Sequence, residues 1–150
     1  MTEGKPAMQI GPDDVLLGLP VANKPALLHR LATHAASRLG AEPAPLLALL
    51  QAREALGSTG IGRGIALPHA RLPGMAAPLC CLCRLARPIP FDAIDDAPVD
   101  LVFLLLTPAG ADTAHLATLA AAARRLRDPA TSAALRRAAD AGTIARLLGA

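Results

Sequence analysis

The sequence contains no tryptophan and no tyrosine, and its aromatic residues are two phenylalanines, Phe91 and Phe103. Hydrophobic residues nevertheless make up 53% of the chain, so we expect an aliphatic core. Proteins that bind single-stranded nucleic acid usually stack the bases on aromatic side chains, which are scarce here. The basic residues are also interleaved with acids along the chain, so a formal charge of +3 does not predict a nucleic-acid-binding surface.

Long hydrophobic runs are also lacking. The longest aliphatic stretch, residues 99–106, has the length of a strand, whereas a membrane-spanning helix needs roughly 20 residues. The N-terminal stretch MTEGKPAMQIGPDD has no apolar run long enough for a signal peptide. The sequence therefore predicts a protein that is neither inserted in a membrane nor secreted.

Cysteine is rare, and all three cysteines fall within one predicted strand as Cys80, Cys81 and Cys83. They are too close together to cross-link easily and too few for a disulfide scaffold, so we expect a reducing, cytoplasmic location. We interpret them as small apolar strand residues rather than redox or zinc-binding groups, with Cys81 on the face opposite the other two.

The spacing of apolar residues and of Gly and Pro predicts an α/β fold with a mixed β-sheet between layers of helices. Residues 1–12 are predicted to be an N-terminal tail and residues 13–150 one domain. The first helix should begin after an Asn23 N-cap and end at Gly40. The other predicted helices lie at residues 43–56, 116–126, 131–139 and 143–148, and the predicted strands at residues 65–67, 79–85 and 99–106.

The most informative stretch is residues 53–71, R-E-A-L-G-S-T-G-I-G-R-G-I-A-L-P-H-A-R. Gly57 and Gly62 have the spacing of a Walker phosphate loop, but the lysine and hydroxyl that must follow are replaced by Arg63 and Gly64. A dinucleotide-binding fingerprint also fails, because a strand rather than a helix follows the glycines. The motif therefore disfavours a nucleotide-dependent kinase.

The remaining features of this stretch suit a phosphoryl group. Backbone N–H groups near glycines can approach a phosphate closely, Ser58 and Thr59 can donate to its oxygens, and Arg53 can balance its charge. Pro68 restricts the backbone just before His69 and so orients the imidazole. At pH 7 roughly three quarters of an unperturbed histidine is neutral and can attack phosphorus. We therefore predict His69 as the nucleophile, with no metal, nucleotide or other cofactor.

Residues 53–71 resemble the signature of phosphotransferase-system enzyme IIA domains of type 2, the fructose, mannitol and nitrogen-regulatory family. The later segments F-D-A-I-D-D-A-P-V-D-L-V-F-L-L-L-T-P and A-H-L-A-T-L-A match the family in type and order, so the resemblance covers about residues 10–148. It implies that His69 accepts a phosphoryl group from a small histidine phosphocarrier protein. It also implies that Arg53 and Ser58 belong to the same pocket, whereas the family varies at Arg63, to which we assign no role.

The resemblance further implies a second histidine beside the phosphorylated one, at His115. A physical argument agrees, because Asp112 or Thr113 can cap a helix whose first turn contains His115, where the positive helix end favours a phosphate. We expect His115 to stabilise the phosphoryl group rather than to carry it. His29 and His34 lie on different faces of the first helix, so they do not predict a metal site.

Two roles within the family compete. One is a regulator of nitrogen or potassium metabolism, and the other is a component that passes phosphate to the IIB component of a sugar transporter. Residues 53–71 and the acidic segment 92–100 look most like the nitrogen-regulatory branch, and we expect no fused transporter or phosphocarrier domain. A regulatory binding module without phosphotransfer is the alternative of another class, but it would predict a damaged pocket.

Overall fold

The computed structural model describes residues 10–149. A short 3₁₀ turn, Pro12–Asp14, precedes the first strand. The strands are β1 (Val15–Leu19), β2 (Gly60–Gly62), β3 (Ile65–Ala66), β4 (His69–Leu72), β5 (Leu79–Ile89) and β6 (Val99–Pro108). The helices are α1 (Lys24–Leu39), α2 (Pro43–Ala55), α3 (Asp112–Arg127), α4 (Pro129–Arg137) and α5 (Ala141–Gly149).

The strands form one mixed sheet in the order β1-β5-β6-β3-β2, and β4 also pairs with β6. Strand β6 is antiparallel to β5 and parallel to both β3 and β4, which follow one another along its other edge. All residues of β6 from Leu101 to Thr107 are buried. The predicted central strand at residues 99–106 is therefore confirmed, and its apolar character on both faces reflects burial between two helical layers.

Two separate hydrophobic clusters fill the two sides of the sheet. One contains residues of α1 and α2 packed against one face, and the other contains residues of α3, α4 and α5 packed against the opposite face. The predicted α/β fold, a mixed sheet between layers of helices, is thus confirmed.

Helix α1 follows the sequence prediction closely. The Asn23 side chain accepts a hydrogen bond from the N–H of Ala26 at 2.9 Å, which satisfies one of the free donors at the helix start. Gly40 ends the helix in the left-handed region at φ 64°, a conformation that glycine adopts without a Cβ clash. Local capping chemistry explains why both ends were predictable.

Strands β2 and β4 were not predicted. They contain three and four residues, too few for an alternating pattern, and they form because β3 and β6 offer them backbone partners. The prediction that the strand stops at Pro68 is therefore incomplete, since pairing with β6 resumes at His69. This second pairing fixes the backbone of His69 opposite Leu105.

The predicted tail falls partly outside the described residues, which begin at Ile10. That residue is buried among side chains of the α3–α5 layer, and Pro12 opens the 3₁₀ turn. The boundary between a tail at residues 1–12 and a domain at residues 13–150 stays a prediction.

The predicted arrangement of the cysteines is wrong in one respect. Cys81 and Cys83 share the face packed by α1 and α2, with their sulfurs 3.9 Å apart, and Cys80 lies on the opposite face. Side chains alternate along a strand, so residues two apart must share a face. All three thiols are free and buried, which fits the apolar role predicted for them. Burial raises the pKa of the Cys80 thiol to about 12.

No helix in the described part of the chain has the length and apolar character needed to cross a membrane.

Candidate functional site

His69 and His115 lie side by side at one end of the sheet, with their ring centroids 5.3 Å apart. His69 opens strand β4, and His115 lies in the first turn of α3, which follows β6. Because β4 pairs with β6, the strand that leads into α3, the two histidines meet although 46 positions separate them in the sequence (115 − 69 = 46). Both line an open cleft of about 320 Å³.

The His69 ring is held at both nitrogens. Nδ1 lies 2.8 Å from the carbonyl oxygen of Leu67, which can only accept, so Nδ1 carries a proton and donates it. Nε2 is then the nitrogen with the lone pair in the neutral ring, and it accepts a hydrogen bond from Nε of Arg53 at 3.1 Å. The backbone two residues upstream thus selects the tautomer in which Nε2 is the nucleophilic nitrogen.

His115 is fully covered, with 1% of its surface exposed, and its Nδ1 lies 2.6 Å from the hydroxyl oxygen of Thr107. Thr107 is buried at the end of β6, after six apolar residues, and it fixes the orientation of the His115 ring. Sequence analysis did not single out Thr107. The signal that could have found it is a lone hydroxyl at the end of an otherwise apolar central strand.

Both histidines are kept neutral by their surroundings. Burial is the main cause that lowers the pKa of His69, and the nearby guanidinium groups of Arg53 and Arg71 add to it. Burial also lowers the pKa of His115, with further contributions from His69 and Arg71. A neutral imidazole at physiological pH is the form that can attack phosphorus.

Arg53 lies in the last turn of α2, as predicted, and its Nη1 donates to the carbonyl oxygen of Gly57 at 2.9 Å. This second contact anchors the guanidinium beside His69. Arg71, on the other side of the cleft, forms an exposed ion pair with Asp112 at 2.9 Å. The cleft therefore holds two guanidinium groups next to a nucleophilic nitrogen, an arrangement that suits an anionic group.

The predicted cap of α3 is wrong. Its N-cap residue is Ala111, no side chain caps the helix, and Asp112 is the first helical residue. The Asp112 carboxylate accepts from Arg71 rather than from the first helical N–H groups. His115 still lies in the first turn, but its own N–H donates to the carbonyl oxygen of Ala111.

The hydroxyls of Ser58 and Thr59 form hydrogen bonds with protein groups outside the histidine cleft. Ser58 donates to the carbonyl oxygen of Phe91 at 2.7 Å, and its oxygen accepts from the N–H of Gly60. Thr59 donates to the carboxylate of Glu54, which is in turn paired with Lys24 at 2.8 Å. This network ties the glycine-rich turn to α1 and α2, and neither hydroxyl is among the groups that line the cleft. Their predicted contact with phosphate stays a prediction.

Apolar side chains surround the two histidines. Leu49, Leu56 and Leu116 line the cleft and are 38%, 84% and 59% exposed, respectively. Large exposed apolar side chains grouped around a site are typical of a surface that binds another protein.

No group of three or more His, Cys, Asp or Glu side chains within residues 10–149 is arranged to hold a metal ion. His29 is exposed on α1, whereas His34 is partly buried and pairs with Asp14.

The chain is similar to known proteins over nearly its whole length. The family model "Phosphoenolpyruvate-dependent sugar phosphotransferase system, EIIA 2" matches residues 8–150. A nitrogen regulatory protein of Bradyrhizobium diazoefficiens is 42% identical over 139 residues, which are 93% of this chain and 91% of that protein.

Two solved structures show the same fold. The crystal structure of the nitrogen regulatory protein IIA-Ntr from Neisseria meningitidis superimposes with a TM-score of 0.88 at 30% identity, covering 92% of this chain and 94% of that one. The IIA mannitol complex with phosphorylated IIB mannitol from Escherichia coli gives a TM-score of 0.77 at 18% identity, covering 93% and 96%. The chain belongs to the type 2 EIIA family of the phosphoenolpyruvate-dependent sugar phosphotransferase system.

Proposed function

We propose that this protein is a phosphohistidine carrier that accepts a phosphoryl group on Nε2 of His69 from a small histidine phosphocarrier protein. The observation that carries the proposal is the pair of contacts on the His69 ring. The Leu67 carbonyl oxygen holds the proton on Nδ1, and Nε2 faces the cleft with a lone pair and a guanidinium beside it. Membership of the type 2 EIIA family also supports a role for this protein as a component of a phosphotransfer system.

In the proposed transfer, the Nε2 lone pair of His69 attacks phosphorus as the nitrogen–phosphorus bond of the donor breaks. The donor's histidine nitrogen takes the electron pair of that bond, so no proton has to leave His69. In the unphosphorylated protein, the Arg53 guanidinium donates a hydrogen bond to the lone pair on Nε2 of His69. As the nitrogen–phosphorus bond forms, this donor must turn from His69 to a phosphoryl oxygen. Its anchor on the Gly57 carbonyl keeps the guanidinium within reach.

We assign the stabilising role to His115. If Thr107 donates its hydroxyl proton to Nδ1, the His115 proton resides on Nε2, which can then donate to a phosphoryl oxygen. The buried hydrogen bond of 2.6 Å holds the His115 ring in place.

The donor is expected to dock on the exposed apolar side chains around the cleft, Leu49, Leu56 and Leu116, which form an apolar rim. Replacing Leu56, which is 84% exposed beside the cleft, with Ser should raise the KM for the phosphorylated donor and leave kcat nearly unchanged. Ile94 is equally exposed but does not line the cleft, so Ile94→Ser is the matched control. Equal effects of both changes on KM would contradict docking at the rim.

Transfer is tested with purified phosphorylated donor and this protein, in the presence of EDTA and without ATP. We expect acid-labile phosphate on this protein, because a phosphohistidine donor already carries an activated group. Transfer that fails under these conditions and recovers with magnesium and ATP would instead indicate a kinase.

We further propose that the phosphorylated state regulates nitrogen or potassium metabolism. The similarity to nitrogen regulatory proteins over nearly the whole chain supports this role over donation to a sugar transporter IIB component. In the source organism, a His69→Ala allele should change growth on different nitrogen or potassium supplies and leave growth on fructose and mannitol unaltered. A defect confined to sugar uptake would favour the transport role. The cytoplasmic location predicted above is part of this proposal.

A further inference from the structure

A second cleft, of about 430 Å³, is lined by four arginines and is separate from the histidine cleft. The arginines are Arg63, in the turn between β2 and β3, Arg127, at the end of α3, and Arg136 and Arg137, in the last turn of α4. Arg127 lies 12 residues after His115 on α3 (127 − 115 = 12), which corresponds to roughly 18 Å along the helix axis. The two clefts share no lining residue.

Three of the four guanidinium groups in this cleft form no ion pair with a carboxylate in the described part of the chain. Within residues 10–149, Arg136 is the one member of the group that forms an ion pair, with Asp100 at 2.8 Å. Arg63 donates to the carbonyl oxygen of Arg127 at 3.3 Å, and Arg127 donates to that of Ile61 at 3.5 Å. A guanidinium has five N–H donors, so these single contacts leave most donors available.

The backbone around Arg63 is built to hold these groups together. Arg63 adopts the left-handed conformation at φ 58°, which is unfavourable for a residue with a side chain. Its N–H is held by the carboxylate of Asp95 at 2.9 Å, and its carbonyl oxygen accepts from Arg136. A Cβ on the neighbouring Gly64 would lie 2.7 Å from Arg136 and 2.9 Å from Asp100, so glycine is needed for this close approach. The fold therefore positions Arg63 and Arg136 next to each other.

We propose that the arginine cleft binds a small anion that carries two or more adjacent phosphate groups. Three guanidinium groups without a carboxylate partner require several negative charges in a small space, and the planar guanidinium matches two phosphate oxygens at once. The cleft contains no aromatic side chain on which a base could stack, so the phosphates themselves are the recognised feature.

Calorimetric titration of the full chain with inorganic pyrophosphate tests this proposal. We expect saturable one-to-one binding, weaker binding of orthophosphate, and comparable binding of a nucleoside triphosphate without magnesium. Arg63→Gln and Arg127→Gln should each weaken pyrophosphate binding about tenfold, since each removes a charge-assisted contact. Arg30→Gln, on the exposed surface of α1, is the matched control and should leave the affinity unchanged.

Arg137→Gln separates binding from folding, because the Arg137 side chain makes no hydrogen bond or ion pair with the described residues. It should weaken binding without changing the melting temperature. His69→Ala should bind pyrophosphate as the wild type does, so the proposal can fail or succeed independently of phosphotransfer. Equal loss of affinity in Arg30→Gln and Arg137→Gln, or tighter binding of a hexaglutamate peptide than of pyrophosphate at the same ionic strength, would overturn it.

Discussion

Two histidines in this molecule have opposite environments. His69 donates through Nδ1 to a backbone carbonyl and faces Arg53, whereas Nε2 of His34, on α1, lies 2.9 Å from the carboxylate of Asp14. Asp14 also accepts from Nε of Arg38 at 2.9 Å. Burial lowers the pKa of His69, while hydrogen bonds to the Cys81 thiol and the Asp14 carboxylate raise the pKa of His34 to about 9.

The difference shows how the neighbours of a histidine decide its role. The Leu67 carbonyl fixes the tautomer of His69, and burial, which lowers the pKa, outweighs the effect of this hydrogen bond, which raises it, so the ring stays neutral and nucleophilic. The carboxylate beside His34 favours the charged form, which has no lone pair and serves to join α1 to the 3₁₀ turn before β1.

The largest effect is expected for His69→Ala, which removes the proposed nucleophile. Acid-labile phosphate after incubation with a phosphorylated carrier should fall to background. His34→Gln is the control, and it should be labelled as fully as the wild type below its melting temperature. Equal labelling of wild type and His69→Ala would rule out His69 as the phosphorylated residue.

His115→Ala should slow transfer by roughly a hundredfold, the usual cost of losing one donor to a developing charge. Phosphohistidine should still form at His69, as peptide mass spectrometry can determine. Thr107→Val keeps the shape of the side chain but removes the hydroxyl, so it should slow transfer less than His115→Ala does. Phosphate found on His115 in the wild type would reverse the roles of the two histidines.

Arg53→Ala should slow transfer about tenfold or more, because a charge-assisted contact to the phosphoryl group is lost. The fold should persist, since Arg53 lies at the end of α2 and its side chain contacts only the site and the adjacent turn. Arg38→Ala changes the corresponding arginine beside His34 and should leave the transfer rate unaltered. A similar loss of rate in both variants would show that the effect is not specific to the site.

Local chemistry explains which parts of this structure were predictable from the sequence. Asn23 and Gly40 carry the capping and stop signals of α1 within their own neighbourhood, and the apolar run of β6 identifies a central strand. The pairing of β4 with β6 depends on a partner more than thirty residues away, so it left no local signal (105 − 69 = 36).

The candidate site also has features that the sequence predicted and features that it did not. The proximity of His69, His115 and Arg53 was expected from the family resemblance, and the fold brings them together. The Leu67 carbonyl and the Thr107 hydroxyl, which orient the rings, depend on three-dimensional geometry that residue types alone do not specify.

The smallest effect concerns stability as a function of pH, and the two histidine environments predict opposite signs. Because the pKa of His34 is raised from 6.5 to about 9 in the folded state, the folded protein binds more protons than the unfolded chain between these values. The stabilisation is therefore complete below pH 6.5 and is lost as the pH rises through about 9. Across the interval from pH 6.5 to about 9, at about 1.4 kcal/mol per pH unit, its upper limit is between about 3 and 4 kcal/mol.

For His69 the folded pKa is lowered, so the unfolded chain binds more protons as the pH falls through 6.5, and stability decreases on the acid side. Urea unfolding from about pH 5 to about pH 8, where the thiols of the unfolded chain are still largely protonated, should show the decrease above pH 6.5 in wild type and His69→Gln but not in His34→Gln. The acid decrease should persist in His34→Gln and become smaller in His69→Gln. A decrease above pH 6.5 that remains unchanged in His34→Gln would mean that the Asp14 pair does not hold the His34 proton.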